Sequence, residues 1–539
     1  MINRGNDKPG NTDQGYGIMN DKSRVRNSLL NFTSSIGGQL LTILMQFVIR
    51  TVFIHTLGKE YLGIGGLFKN ILSMLSLAEM GVGSAIVFKL YEPIASNDMD
   101  RISILMKFYK KVYRWIGFAI AVIGLALIPF LPKLINDYDK LESLNLNVAL
   151  IFILYLLDSV SSYLFFAYKS ALVKADQKEY SINLIGYIFT ILSGVAQIIC
   201  LLIFRSFILY VAILILKTVL QNLVVARMAD RKYPCLKSPG TETIQKKEAR
   251  GIFKDCGALF IYKINNVVVK STDNIVLSAF IGLDAVALYS NYYIFYTTIV
   301  SLFNKVYNSV GHSIGNLHAT HDIKKEYKVF ESTMLIAAIL GGTVFTGLFV
   351  VADEFVGMWL GNDWELQQPF SFLLGMELFT SSFKYAMAKY RTAYGLFTQG
   401  WIRPLFAMII NLGVSLALVQ PLGIVGVLIG TLVSDWTTFV WYDPLIVHRI
   451  GFENAYPVSR YFLKFAKYTL VCLALGCLEF LLCANVFTGH GWFSVIVHSA
   501  ICGIITPTVL ILTSLHTEEG KYVLNILKKI TRKVKKRKK

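Results

Sequence analysis

The chain has 539 residues, 54% of them hydrophobic and only 16% charged, with a mean hydropathy of +0.53, which excludes an ordinary soluble globular protein. Its formal net charge of +19 would suit a nucleic-acid partner, but the basic residues sit at the edges of long apolar runs, so nucleic acid is excluded and a polytopic membrane protein remains.

Met1 to Arg26 is polar and has no apolar core, so no cleavable signal peptide is expected and the first span must act as its own signal. Apolar runs of about 20 residues or more then place about fourteen helices. They run over 27–54, 61–91, 112–131, 147–168, 182–204, 206–227, 252–281, 286–317, 332–352, 368–390, 402–420, 424–446, 461–485 and 492–515, ahead of a basic tail ending KKITRKVKKRKK. The fold class expected is an all-α polytopic membrane protein. With an even number of spans both ends lie on one side, and Lys and Arg crowd that side, leaving Lys59, Lys133, Lys140 and Arg205 opposite. The positive-inside bias makes both termini cytoplasmic. The outer loops are acidic, as in Asp137, Asp139 and Glu142, or Asp353, Glu354, Asp363 and Glu365. No loop exceeds the segment from Met228 to Arg250, so no soluble catalytic domain fits, and no GxxxxGK[ST] sequence for hydrolysing ATP is present. The seven cysteines form no CxxC pair, which argues against metal or redox work.

The chain also repeats itself. HTLGKEYLGI at His55 parallels AFIGLDAVAL at Ala279, YKSALVKADQ at Tyr168 parallels YRTAYGLFTQ at Tyr390, and Tyr233-Pro234 parallels Tyr456-Pro457, all at separations of 222 to 224 residues. This predicts two homologous six-helix lobes in the same orientation, related by an axis along the membrane normal, with a site between them. The expected organisation is a cytoplasmic N-terminus (1–26), an N-lobe (27–230), a cytoplasmic linker (231–251), a C-lobe (252–450), two extra C-terminal helices (451–516) and a basic tail (517–539).

Polar residues recur at helical spacing on four of these spans. Span 7 carries Lys263, Asn266, Lys270 and Asp273; span 1 carries Asn31, Ser35, Gln39, Thr42, Gln46 and Arg50; span 2 carries Lys69, Ser73, Ser76 and Glu79. Span 8 adds Asn291, Thr298, Ser301, Lys305, Asn308 and His312. A charge in hydrocarbon costs roughly 2.5 to 3.5 kcal/mol, so these cations call for a wet cavity or an anionic partner. Lys69, Lys217, Lys263, Lys270, Lys305 and Lys384 lie deep, whereas Arg50 and Lys89 suit an interfacial anchor as well as a cavity. The Ser, Thr and Asn members also serve as packing glue between membrane helices. A basic pocket within the bilayer fits an anionic cargo, phosphate or diphosphate best. The membrane acids Glu79, Asp158, Asp273, Glu377, Asp435 and Glu479 either neutralise nearby lysines or couple transport to a cation gradient. His318 and His321 sit in a cytoplasmic loop beside Lys324 and Lys325 with no further ligands, so no metal site is expected.

The run FIHTLGKEYLGIGGLFKNILSMLSLAEMGVGSAIVFKLYEP, Phe53 to Pro93, resembles the first two spans of Wzx-type polysaccharide flippases, with the Leu-Gly-x-x-x-x-Gly turn at Leu57 to Gly63 and the Gly-x-Gly-Ser-Ala end at Gly81 to Ala85. YKSALVKADQKEYSINLI resembles the same family's connection between spans 4 and 5. The family belongs to the multidrug/oligosaccharidyl-lipid/polysaccharide exporter superfamily. The resemblance implies a V-shaped, MATE-like bundle with a central cationic cavity lined chiefly by spans 1, 2, 7 and 8. The implied cargo is an undecaprenyl-diphosphate-linked oligosaccharide, flipped to the outer leaflet of a bacterial plasma membrane for capsule or exopolysaccharide assembly, with the last two helices sheltering the lipid tail. It implies a transporter and no enzyme, no cofactor beyond a H+ or Na+ gradient or the membrane potential, and membrane lipids, a polysaccharide polymerase and glycosyltransferases as partners. On that reading Lys263, Lys270, Lys69 and Lys305, with Arg50, attract the diphosphate, and Asn266, Gln39, Gln46 and Asn308 meet sugar hydroxyls. Asp273, Glu79, Asp158, Glu377 and Asp435 are the candidate coupling or ion-pair acids. The alternatives are a MATE-type cation-coupled drug exporter, a membrane enzyme acting on the same lipid carrier, and a non-catalytic assembly scaffold.

Overall fold

The computed structural model describes residues 21–525 apart from 77–78, 137, 139–140, 142–146, 177, 237–243, 246–247, 251, 253–270, 319–321, 367, 397–398, 401 and 486–490. Among the described residues there is helix and no strand. The helices are α1 (Asp21–Leu57), α2 (Lys59–Leu75), α3 (Glu79–Ala95), α4 (Met99–Leu127), α5 (Val148–Leu164), α6 (Lys169–Ala175), α7 (Glu179–Phe204) and α8 (Phe207–Lys232). After a helical stretch at 271–280 come α9 (Leu283–His318), α10 (Ile323–Leu360), α11 (Phe370–Ala393), α12 (Arg403–Ile446), α13 (Val458–Asn485) and α14 (Trp492–Ser514).

Local chemistry sets several of these starts. Asp98, Asn147 and Asp322 each accept a backbone N–H three residues on, capping α4, α5 and α10. Predicted span 3 lengthens at its start because its first turns are amphipathic: Ile102, Leu105, Met106, Tyr109, Val112 and Tyr113 are buried while Lys107 and Lys111 are exposed. Spans 11 and 12 join as α12, two helices meeting at Gly423, whose φ of 59° suits glycine. Predicted span 2 divides into α2 and α3, and span 4 bends by 54° between α5 and α6.

Eight helices among the described residues are long and apolar enough to cross a membrane, or nine if the bent α5–α6 pair is one span. The expectation of about fourteen rests further on the broken or polar-striped spans 2, 7, 8 and 10 and on reading α12 as two. Lipid-facing surface is evident from exposed Ile203, Phe204, Leu463 and Phe493.

The apolar interior has two centres. One gathers side chains of α1–α8 around Phe68, Phe152 and Tyr155, and the other gathers α9–α14 around Phe330, Phe345 and Phe379. Ile54 of α1 joins the second core and Leu283 of α9 joins the first, so the two interlock where α1, α2 and α9 meet. That seam lies at the end of the bundle far from Asp21, here the distal end. Backbone passes close there: a Cβ added at Gly63 would stand 2.3 Å from the Leu283 carbonyl oxygen. Trp359 Nε1 donates to Thr51 Oγ1 at 2.6 Å, Phe47 meets the Trp359 ring at 4.7 Å, and Lys59 Nζ donates to the Asp363 carbonyl at 3.0 Å.

Near the opposite, proximal end each core carries a buried basic residue docked on an acid. Lys169 Nζ reaches both Asp230 oxygens at 2.6 and 2.7 Å, and Arg391 pairs with Asp443, which Arg403 also holds.

Candidate functional site

Four helices bring charge to one level of the first core. Arg50 lies seven residues from the distal end of α1, while Lys69, Asp158 and Lys217 each lie ten residues from the distal ends of α2, α5 and α8. At 1.5 Å per residue all four sit about 10 to 15 Å below the distal end, well inside a hydrocarbon layer of about 30 Å. Lys69 is exposed, yet its charged neighbours are Arg50, Asp158 and Lys217 from three other helices, so its ammonium faces space bounded by protein. Asp158 Oδ1 accepts a hydrogen bond from Thr218 Oγ1 at 2.7 Å, and Tyr155 and Tyr210 stand beside Asp158 and Arg50. These four charged groups sum to two positive charges.

Arg50 also crosses between the cores. Its Nε donates to Asn291 Oδ1 at 2.5 Å and its Nη2 donates to Ser290 Oγ, fastening α1 to α9. The guanidinium, an interfacial anchor or a lining group on the sequence pattern, is thus a clasp that faces the charged layer from its distal side. Asn291 is fully buried, and its Nδ2 finds no acceptor among the described residues.

The other predicted site residues divide by position. Lys263, Asn266 and Lys270 lie outside the described residues, and Glu79 begins α3 with its side chain likewise outside them. Asp273 is buried and accepts from the Tyr289 hydroxyl at 3.1 Å, next to Asn274, also buried. Gln39 is half-buried and Gln46 exposed on α1. Lys305, half-buried, and Asn308, exposed, follow Asn291 on α9 by 14 and 17 residues, hence by about 21 to 26 Å toward the proximal end. The structure does not bring them to the level of Lys69. His318 is taken up by Glu326, 3.1 Å from its Nδ1, and by the Tyr394 ring at 4.1 Å; His321 lies outside the described residues. No cluster of three or more metal-ligating side chains occurs among the described residues.

The second core holds the remaining acids. Asp435 forms an ion pair with Lys384, drawn from α12 and α11. Glu377, 1% exposed, has no such direct partner: Ser381 Oγ and the Tyr296 hydroxyl donate to its Oε1 at 3.2 and 3.3 Å, and Oε2 is buried without a donor among the described residues. Glu479 is likewise fully buried between α13 and α14, accepting from Thr506 Oγ1 at 2.7 Å. Lys217 is one of the deep cations of the sequence but stands on no continuous polar stripe of span 6, so the pattern does not mark it as a site residue; the helix bounds place it at the depth of Lys69.

A many-helix membrane bundle with ionised groups held at mid-depth is the architecture of a membrane transporter. Solved structures agree on the fold. The lipid II flippase MurJ in an inward closed conformation superposes with a TM-score of 0.62 at 14% identity, covering 91% of this chain and 98% of that one. An inward-facing multidrug resistance MATE family transporter of the MOP superfamily gives 0.54 at 14% identity over 78% of this chain and 96% of that one. A MATE structure in a bent conformation gives 0.52 at 15% identity over 81% and 97%. Among curated proteins no relative matches the chain. In sequence, the model of the polysaccharide biosynthesis protein family matches residues 28–310, more than half of the chain. The protein belongs to that family of flippase-like transporters.

Proposed function

We propose that the protein flips an undecaprenyl-diphosphate-linked oligosaccharide from the cytoplasmic to the outer leaflet, with both termini cytoplasmic and the distal end facing outward. The observation that carries this reading is the mid-membrane layer of Arg50, Lys69 and Lys217 with Asp158. A diphosphate diester carries two negative charges, which the layer's net charge of two positives balances. Lys and Arg supply charge-assisted hydrogen bonds to phosphate oxygens, and Thr218, Tyr155 and Tyr210 add hydroxyls nearby. The net positive lining disfavours a cationic drug as cargo.

Alternating access follows from two lobes rocking about the site, with the distal seam closed in the conformation described here. The two-lobe reading is supported by the repeat-matched pair Lys169 and Arg391, since each docks the matching helix of its half onto an acid near the end of the sixth. Of the acids, Glu377 suits coupling to protons best, because its hydrogen bonds come from the neutral hydroxyls of Tyr296 and Ser381. Lys263, Asn266 and Lys270 extend the lining along span 7 in this scheme, and Asp273 stands at its distal end.

The test is translocation in proteoliposomes loaded with the lipid-linked oligosaccharide. Losing a charge-assisted bond removes about 1.5 to 3 kcal/mol, so Lys69→Ala with Lys217→Ala, and separately Lys270→Ala, should lower the rate at least ten-fold at unchanged membrane abundance. Full flipping by the Lys69/Lys217 double variant would overturn the assignment of this layer to the diphosphate.

A further inference from the structure

The transport reading leaves one cationic cavity unused. It lies on the outer flank of α4, far from the seam between the cores, and has a volume of about 1020 Å³. Its lining combines Lys107, Lys110, Lys111 and Arg114 with Trp115 and Phe118, over an apolar floor that includes Phe108 and Ile244.

The length of α4 sets the depth of this cavity. Helix continues with little interruption from Met99 to Leu134, 36 residues, or about 54 Å against about 30 Å of hydrocarbon. The apolar stretch from Trp115 to Leu134 fills about 30 Å by itself. Lys107, Lys110, Lys111 and Arg114 therefore stand in the headgroup layer on the proximal side, with Trp115 and Phe118 at its boundary with the acyl chains. Trp115 and Phe118 are 63% and 60% exposed, as interfacial aromatics are. Beyond them Val122, Ile123 and Leu125 offer an exposed apolar track along the same helix.

Spacing puts the four cations on one face, at i, i+3, i+4 and i+7. Of the cations nearest Lys110, Lys169 is already paired with Asp230, whereas Arg114 is exposed on the cavity wall beside it. Arg101 pairs with Glu248, tying the linker to α4, and Ile244 of the same linker lines the cavity. Among the described residues the cavity is walled by α4 and Ile244, with the exposed Trp115 and Phe118 at its rim.

We infer that this cavity is a binding site for an anionic phospholipid of the proximal leaflet, its phosphate among the four cations and its acyl chains running past Trp115 and Phe118. A soluble phosphate would use the cations but leave the aromatic boundary and apolar track without a role. The site is independent of whatever cargo crosses between the cores.

The experiment uses the full chain in phosphatidylcholine vesicles containing increasing fractions of brominated phosphatidylglycerol or brominated phosphatidylcholine. Fluorescence quenching that belongs to Trp115 is isolated by difference from Trp115→Phe. Half-maximal quenching is expected at about a hundred-fold lower mole fraction of the phosphatidylglycerol, three lysines at about 1 kcal/mol each. Each charge neutralised should weaken that preference about five-fold, so Lys107→Gln with Lys110→Gln and Lys111→Gln abolishes it. The matching triple Arg substitution should keep it, and the single Lys111→Gln, at an exposed position, should lower it about five-fold in a protein whose folding is not at issue. Equal midpoints for the two lipids, or a preference that survives the triple Gln change, would overturn the site. Relief of the phosphatidylglycerol quenching by inorganic phosphate at constant ionic strength would overturn it too, by showing a site for soluble anions.

Discussion

Substituting Gly63 by alanine tests whether the distal seam is a closed gate. The added Cβ would stand 2.3 Å from the Leu283 carbonyl oxygen and 2.9 Å from both its carbonyl carbon and its Cβ, while ordinary contact begins at 3.4 Å. Two of these three atoms are backbone, so no rotamer change relieves the clash, and α2 and α9 must part by roughly 1 Å at that point. Overpacking of this kind costs about 1 to 3 kcal/mol, which applies to the closed seam and vanishes when the seam opens. The closed state should therefore lose about five- to 150-fold in population relative to the open one. Spin labels at Lys59→Cys and Asp363→Cys, in a chain whose seven native cysteines are replaced, bracket the seam, because Lys59 bonds the Asp363 carbonyl across it. Gly63→Ala should add or enlarge a longer distance in pulsed EPR, and Gly503→Ala, where a Cβ meets nothing within 4 Å, should not. An unchanged distance distribution in a folded Gly63→Ala protein would refute the gate.

Two further outcomes follow from ion pairs. Lys384→Met leaves Asp435 buried beside Phe439 without its cation, and stranding one member of such a pair costs about 3 to 5 kcal/mol, so thermal stability should fall sharply while Lys384→Met with Asp435→Leu recovers most of the loss. Equal thermal stability of the single and double variants would remove the pair from the stabilising set. At the proximal end burial opposes the charge of Glu519, but Lys464 at 2.5 Å outweighs it and holds that carboxyl below the usual glutamate range. A depressed carboxylate stabilises above its unfolded value of about 4.3 and loses that contribution as pH falls through the lower folded value. Hydrogen exchange at 518–525 should accelerate on acidification below about pH 4, and Lys464→Gln should shift the change toward the ordinary glutamate value. Exchange independent of pH, after correction for its intrinsic rate, would count against the docking.

Membrane helices were legible in the sequence because hydrocarbon enforces long apolar runs, and α8, α13 and α14 begin and end within a few residues of their predicted bounds. The start of α4 was not, because a basic amphipathic turn reads as loop when apolar run length is the criterion. Inward faces were legible as stripes, and Arg50 and Asn291 stood on two of them. Periodicity along one helix gives a direction but neither depth nor partner, so the bond joining residues 241 apart could not be foreseen. The same limit kept Lys217 out of the predicted site and grouped Lys305 with Lys69, although both distinctions follow from counting residues from each helix's distal end.

The internal repeat carried the information that single-helix patterns lack. The match of YKSA at Tyr168 to YRTA at Tyr390 aligns Lys169 with Arg391. Their acids, Asp230 and Asp443, show no such sequence match: they lie 213 residues apart, not about 222, so the docking persists while the register of the receiving helix has moved. A buried cation favours that persistence, since removing either partner leaves an uncompensated charge, whereas an acid supplied from nine residues out of register still makes the pair. Asp158 and Glu377 are near-equivalent in position and keep a common environment: each is hydrogen-bonded by hydroxyls, Thr218 in the first case and Tyr296 and Ser381 in the second, with lysines as charged neighbours, Lys69 and Lys217 for Asp158 and Lys384 for Glu377. The halves differ in how the lysine is held, since Lys384 is paired directly with Asp435.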